Sequence, residues 1–278
     1  MVEAIREPVV DADWLVAHLN QVRVADVRWY LRGASGYEAY LAGHIPGAVW
    51  LDIDHDLSDP PDPGRHPLPS PERFAAALGR AGIGDDVPVV AYDDTGGSTA
   101  ARLWWLLSLL DHPVAVLDGG LKAWPGPLEV GAVHPVEATF KPRPFPRERL
   151  ADADEVAAAL ERTDTVVIDA RTADRYRHGD PDVDPRAGHV PGARSAPWAD
   201  NLDDNGGFLP SSDLRTHYDA VGVGPNQSVI AYCGSGVTAC HDLLALTLSG
   251  VPAPRLRLYV GSWSEWGADP DRPAETDA

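Results

Sequence analysis

Val229-Ile-Ala-Tyr-Cys-Gly-Ser-Gly-Val-Thr-Ala239 reads as the end of one element, a tight loop and the start of another. A short apolar run stops at Cys233. A six-residue loop of mostly small side chains follows, and then an apolar stretch, Leu243–Leu248, predicts a helix. Gly234, Ser235, Gly236, Val237 and Thr238 let such a loop curl so that its backbone N–H groups point inward. The result is an anion cradle at a helix N-terminus. That field favours a thiolate, which makes Cys233 the expected nucleophile. The alternative is a buried cysteine acting as one more small apolar residue, but this leaves the glycines on both sides of Ser235 unexplained.

The same strand-and-loop pattern occurs once more, and working outward from it uncovers a duplication. Val89-Val-Ala-Tyr-Asp93 matches Val229-Ile-Ala-Tyr-Cys233. Val24-Ala-Asp-Val-Arg28 matches Val167-Ile-Asp-Ala-Arg171, Gly43-His-Ile-Pro-Gly-Ala48 matches Gly188-His-Val-Pro-Gly-Ala193, and Asp118–Trp124 matches Val260–Trp266. The shifts are 140, 143, 145 and 142 residues, in one order along the chain. Repetition of this kind marks repeated structural units. The expected domains are residues 1–134 and 150–278, joined by a proline-rich, basic connector at 135–149 that is extended rather than helical. Within each half, apolar runs (Val89–Tyr92, Val114–Leu117, Thr165–Asp169, Ser228–Tyr232) alternate with helical patterns. The latter include Asp11–Leu19, Pro71–Ala81, Ala100–Leu110 and Ala151–Leu160. This alternation predicts an α/β fold, each half a mainly parallel sheet with helices on both faces. In such sheets ligands sit at the carboxyl ends of strands, where Cys233 falls.

Duplication also provides an internal control. Residues present in both halves serve the fold, because only one loop carries the thiol. By that test His44 and His189, and the pairs Asp26/Arg28 and Asp169/Arg171, are structural. Cys233 is special, since its counterpart is Asp93, so one half is catalytic and the other supports it.

Composition bounds the remaining possibilities. The 278 residues suffice for two cores. The net charge of −19 weighs against nucleic acid or an anionic membrane as a partner, and an anionic substrate must be captured by local arginines. Two cysteines seven residues apart make neither a disulfide framework nor a zinc motif, so no metal is expected. No apolar stretch is long enough to span a bilayer, and Met1–Glu7 lacks the apolar core of a secretory signal, which predicts a cytoplasmic protein.

The duplicated Gly-His-Ile/Val-Pro-Gly-Ala segments, Gly261-Ser-Trp-Ser-Glu-Trp266 and the cysteine loop together resemble the two-domain rhodanese family of sulfurtransferases over nearly the whole chain. The resemblance implies tandem rhodanese-like domains, the first inactive, with catalysis from the C-terminal cysteine and no cofactor. Thiosulfate-preferring members carry two basic side chains after the cysteine, whereas Cys233-Gly-Ser-Gly-Val-Thr238 is similar to the 3-mercaptopyruvate sulfurtransferase form. It further implies a relay of Ser235 with Asp54 and His66, which fall in Leu51–Asp54 and His66–Pro69. Solvation of both in an exposed proline-rich loop is the other reading. Arg175 matches one substrate arginine. The second is assigned to Arg186, with Arg177 as the alternative, because Asp180–Arg186 is compressed relative to the family. Cys240 is read as buried on the helix, a redox role being the other reading, and Trp104, Trp105, Trp263 and Trp266 as packing residues. The implied partners are a small sulfur donor (3-mercaptopyruvate or thiosulfate) and an acceptor such as thioredoxin, a small thiol or cyanide.

Three rivals remain on sequence grounds, the nearest being a thiosulfate:cyanide sulfurtransferase. A phosphatase on the same architecture needs a C-x5-R loop, but Ala239 stands where its arginine would be. A non-enzymatic persulfide carrier would need Cys233 but not the relay residues.

Overall fold

The computed structural model describes Ile5 and residues 7–276, and the chain divides into two compact units. The first comprises Met1–Asp59, Leu68–Phe145 and Asp204–Phe208. The second comprises Pro60–Pro67, Pro146–Asp203 and Leu209–Ala278. The division therefore falls after Phe145, and a short segment of the first-half sequence, Pro60–Pro67, belongs to the second unit.

The first unit is built on strands β1 (Val9–Val10), β2 (Arg23–Asp26), β3 (Val49–Trp50), β4 (Val89–Tyr92) and β5 (Val114–Leu117), in spatial order β1-β5-β4-β2-β3. The second has β6 (Leu150–Ala151), β7 (Thr165–Asp169), β8 (Arg194–Ser195), β9 (Ser228–Tyr232) and β10 (Leu256–Tyr259), in order β6-β10-β9-β7-β8. All pairings are parallel. The two orders are the same order, as the duplication requires. β4 and β9 hold the central position and are apolar throughout their buried length, as befits strands covered on both faces.

Local chemistry sets the helix boundaries. Asp11 caps Ala12–His18 by accepting the Trp14 N–H at 2.7 Å. Ser70 caps Pro71–Arg80, whose proline stands in the first turn, where no N–H is needed. The expected helix at Ala151 begins instead at Ala153. Asp152 takes the cap position in a reciprocal box with Glu155, which leaves Ala151 to β6. Ser211–Val221 buries only Leu214 and Tyr218, four residues apart, so its apolar stripe is too thin to be read from sequence. Ala239–Leu248 is the opposite case: every residue from Ala239 to Leu246 is buried, including Cys240, His241 and Asp242.

Residues 132–146 form neither helix nor strand. As far as Phe145 this segment belongs to the first unit, fastened by Ala138 N–H to the Gly79 carbonyl (3.0 Å). Phe140 lies buried beside Phe74 and His112.

The residues repeated in both halves are spent on the fold. Arg28 grips Asp26 and donates to the Gly43 carbonyl, and Arg171 grips Asp169 and donates to the Gly188 carbonyl, at nearly equal distances. His44 stacks on Tyr40 and His189 on Tyr176, each with Nδ1 on the backbone carbonyl of the tyrosine it stacks on. Breaking a buried ion pair of this type typically costs about 3–5 kcal/mol, which explains why both copies retain it.

Candidate active site

Cys233 follows the last residue of β9 and is 2% exposed. Its Sγ accepts the Gly236 N–H at 3.1 Å. Gly236 has φ +79°, and a Cβ there would lie 2.6 Å from the Val260 carbonyl oxygen, so only glycine fits this turn. The N–H of Cys233 donates to Ser262 Oγ (3.2 Å), which in turn donates to the Tyr259 carbonyl (2.9 Å). Ser262 is left-handed (φ 53°), where the repeat has Gly120 at φ 57°. The second copy thus accepts backbone strain to place a hydroxyl under its cysteine. Trp263 and Ser264 donate their N–H groups to the carbonyls of Cys233 and Gly234, both at 2.9 Å. The segment after β10 is therefore a brace for the loop as well as a packing element.

Ser235 is buried, and its Oγ shares a hydrogen bond of 2.7 Å with Nδ1 of buried His66. This contact lies within the second unit, because His66 belongs to Pro60–Pro67. The structure thus brings together Cys233, Ser235 and His66. Asp54 belongs to the first unit, where it is exposed and accepts the Trp29 indole N–H at 2.9 Å. His55 beside it is exposed and paired with Asp52, which raises its pKa.

The arginines divide by task. Arg175 is gripped by buried Asp184 (Nε–Oδ2 3.1 Å, Nη2–Oδ1 2.5 Å), yet its Nη2 stands 2.9 Å from the point where a Gly234 Cβ would be. Arg186, the expected second arginine, is placed elsewhere. Its Nη2 donates to the carbonyls of Trp266, Asp269 and Arg272, and its guanidinium lies over the Trp263 ring. These bonds tie Arg186 to the chain turn after Trp266. Arg177 is exposed. The guanidinium that joins Arg175 at Gly234 is that of Arg65, whose Nη2 is 3.2 Å from the same Cβ point. A signal for it was present: Arg65 is a basic residue in an acidic, proline-rich stretch, immediately before His66.

Below the loop, Cys240 is fully buried and its thiol donates to the Gly236 carbonyl; no disulfide joins it to Cys233. Asp242 on the same helix is also buried and accepts from Asn201 Nδ2 at 2.8 Å. Burial raises its pKa well above the carboxylate range, against the opposing Asn201 bond, and the nearby Cys233 pushes it the same way.

The first unit contains the matching loop, and Asp93 fills it. Asp93 Oδ1 accepts from Thr95 N–H and Gly97 N–H (both 2.8 Å). Oδ2 accepts from Thr99 N–H (2.8 Å), Ala100 N–H (2.9 Å) and Thr99 Oγ (3.0 Å). With the repeat shift of 140, the first three of these N–H groups correspond to Ser235, Val237 and Ala239. Among the described residues, no group of three or more His, Cys, Asp or Glu is placed to hold a metal, and no helix is long and apolar enough to cross a membrane.

Two parallel five-stranded units of one topology, one of them with a buried cysteine in an amide loop at the carboxyl end of its central strand, define a tandem rhodanese protein. Residues 11–126 and 152–269 each match the Rhodanese-like domain, and the chain belongs to that family. It is 43% identical over 282 residues to the Pseudomonas aeruginosa protein named "Probable 3-mercaptopyruvate sulfurtransferase", covering 96% of this chain and 98% of that one. It is 40% identical over 263 residues to SseB of Mycobacterium tuberculosis, whose name is that of a thiosulfate sulfurtransferase (91% and 90% covered). The crystal structure of SseA from Escherichia coli, described there as a 3-mercaptopyruvate sulfotransferase, superposes with a TM-score of 0.83 at 35% identity. The match covers 92% of this chain and 99% of that one.

Proposed function

We propose that this chain is a sulfurtransferase that takes sulfur from 3-mercaptopyruvate onto Cys233 and passes it to a thiol or to cyanide, releasing pyruvate. The Cys233 thiolate attacks the substrate thiol sulfur. The S–S bond forms as the C–S bond breaks, and the electron pair leaves on carbon as pyruvate enolate. Protonation at that carbon gives pyruvate. Ser235 donates the proton and is reprotonated by His66 across their 2.7 Å hydrogen bond. The persulfide is then attacked at its outer sulfur by a thiolate (thioredoxin or a small thiol) or by cyanide, which restores the Cys233 thiolate.

The Ser235–His66 pair is the observation that carries the choice of donor. An enolate needs a proton to depart as pyruvate, whereas thiosulfate loses sulfite as an anion and has no use for a relay. The neutral residues after Cys233 carry less weight than the sequence suggests, because Arg175 and Arg65 bring cations to Gly234 from other segments. Side-by-side assays with cyanide as acceptor test the reading. The expected kcat/KM for 3-mercaptopyruvate exceeds that for thiosulfate by at least about tenfold, with one pyruvate per sulfur transferred, since a well-placed acid is worth about 10²–10⁴ in rate. A preference for thiosulfate would leave Cys233 as nucleophile and overturn the donor.

A further inference from the structure

We infer that Arg65, and not an arginine of the 175–186 segment, is the second cation of the substrate site, where with Arg175 it clamps the donor's carboxylate. The inference rests on the donor proposed above. Arg65 Nη2 and Arg175 Nη2 both stand within 3.2 Å of one point, the Cβ position of Gly234, which directly follows the nucleophile. Two guanidinium groups converging on one spot repel each other unless an anion lies between them, and each presents a planar fork suited to a carboxylate. A side chain at 234 would push into both guanidinium groups, and glycine lets them close on the loop.

The supports of Arg65 are built in the same place. Its N–H donates to Ser264 Oγ at 3.0 Å, and Ser264 donates its own N–H to Gly234, so the arginine and the cysteine loop share one brace. Arg65 Nη1 donates to the neutral carbonyl of Val183 at 3.3 Å. The preceding Gly64 packs so closely that a Cβ would lie 2.9 Å from Gly261 Cα. Local charge also favours the assignment. Arg171 and Arg175 face Asp169 and Asp184, so the 169–186 segment brings as many anions as cations here. Arg186 is bound to three backbone carbonyls. In a chain of net charge −19 a substrate anion is repelled at long range, and Arg65 supplies the short-range attraction.

Two donors with the same ketone and thiol separate this role from a structural one: 3-mercaptopyruvate, and 1-mercaptopropan-2-one, which lacks the carboxylate. In the full-length protein, Arg65→Gln is expected to raise KM for 3-mercaptopyruvate about 10- to 100-fold, the usual scale for losing one partner of a charge-assisted pair. kcat stays within about threefold, because the clamp holds a part of the substrate that does not react. Turnover of 1-mercaptopropan-2-one stays at the wild-type level, and Arg65→Lys recovers part of the affinity. An unchanged KM for 3-mercaptopyruvate, or an equal loss with both donors, would overturn the assignment. If the wild-type protein releases no pyruvate, the proposed donor falls and the clamp with it. If it does and Arg65→Gln behaves as wild type, Arg65 alone falls.

Discussion

Cys233→Ser yields a folded protein with no turnover. Serine keeps an acceptor for the Gly236 N–H that now donates to sulfur, and its smaller atom fits the same pocket, so thermal stability stays within about 1 kcal/mol of wild type. The S–S bond that defines the intermediate cannot form on oxygen. Sulfur transfer from either donor should therefore drop by at least about 10⁴-fold, the scale seen when a covalent nucleophile is removed. Mass spectrometry after donor addition should find one extra sulfur on the wild-type chain and none on the variant. Sulfur loading in Cys233→Ser would transfer the role to Cys240, the other thiol, and the proposed mechanism would fail.

Ser235→Ala and His66→Ala should separate the two donors. Each removes one side of the hydrogen bond that delivers the proton to the departing carbon. The 3-mercaptopyruvate rate should fall by about 10²–10³-fold, within the range of a positioned general acid, while the thiosulfate rate moves by about threefold or less. Because Ser235 and His66 act as a unit, the double variant should lose little more than either single one. Equal losses with both donors would mean that the pair holds the loop rather than moving a proton. The readout is kcat for each donor, measured with the acceptor saturating.

Much of the molecule was legible because it is written in local patterns. The duplicated motifs foretold two sheets, and the apolar runs 89–92, 114–117, 165–169 and 228–232 are strands of those sheets. Cys233 stood out because its repeat partner is Asp93. The helices Gly36–Ala42, Ala173–His178 and Ser211–Val221 were missed because they bury few side chains. Arg65 was missed for a different reason. It lies 168 residues before the cysteine in a stretch without periodicity, and only the inclusion of Pro60–Pro67 in the second unit brings it to Gly234. Arg186 was favoured by its neighbours in sequence, but the carbonyls of Trp266, Asp269 and Arg272 had prior need of a donor. Ser262 and Ser264 were concealed in a repeated segment whose tryptophans drew the packing interpretation.

Asp93 makes the first unit a still frame of the second unit's cycle. A carboxylate oxygen lies two bonds beyond Cβ, as does the outer sulfur of a cysteine persulfide, and Asp93 holds that place with four backbone N–H groups. The first copy of the cradle thus holds its anion permanently, while the second loads and unloads with each turnover. A sulfur added to Cys233 should then gain N–H donors in the way the Asp93 carboxylate does, so the enzyme is expected to be a tighter protein between donor and acceptor than at rest. Differential scanning calorimetry with and without the donor would register this as a higher melting temperature for the charged form, and identical temperatures would deny it.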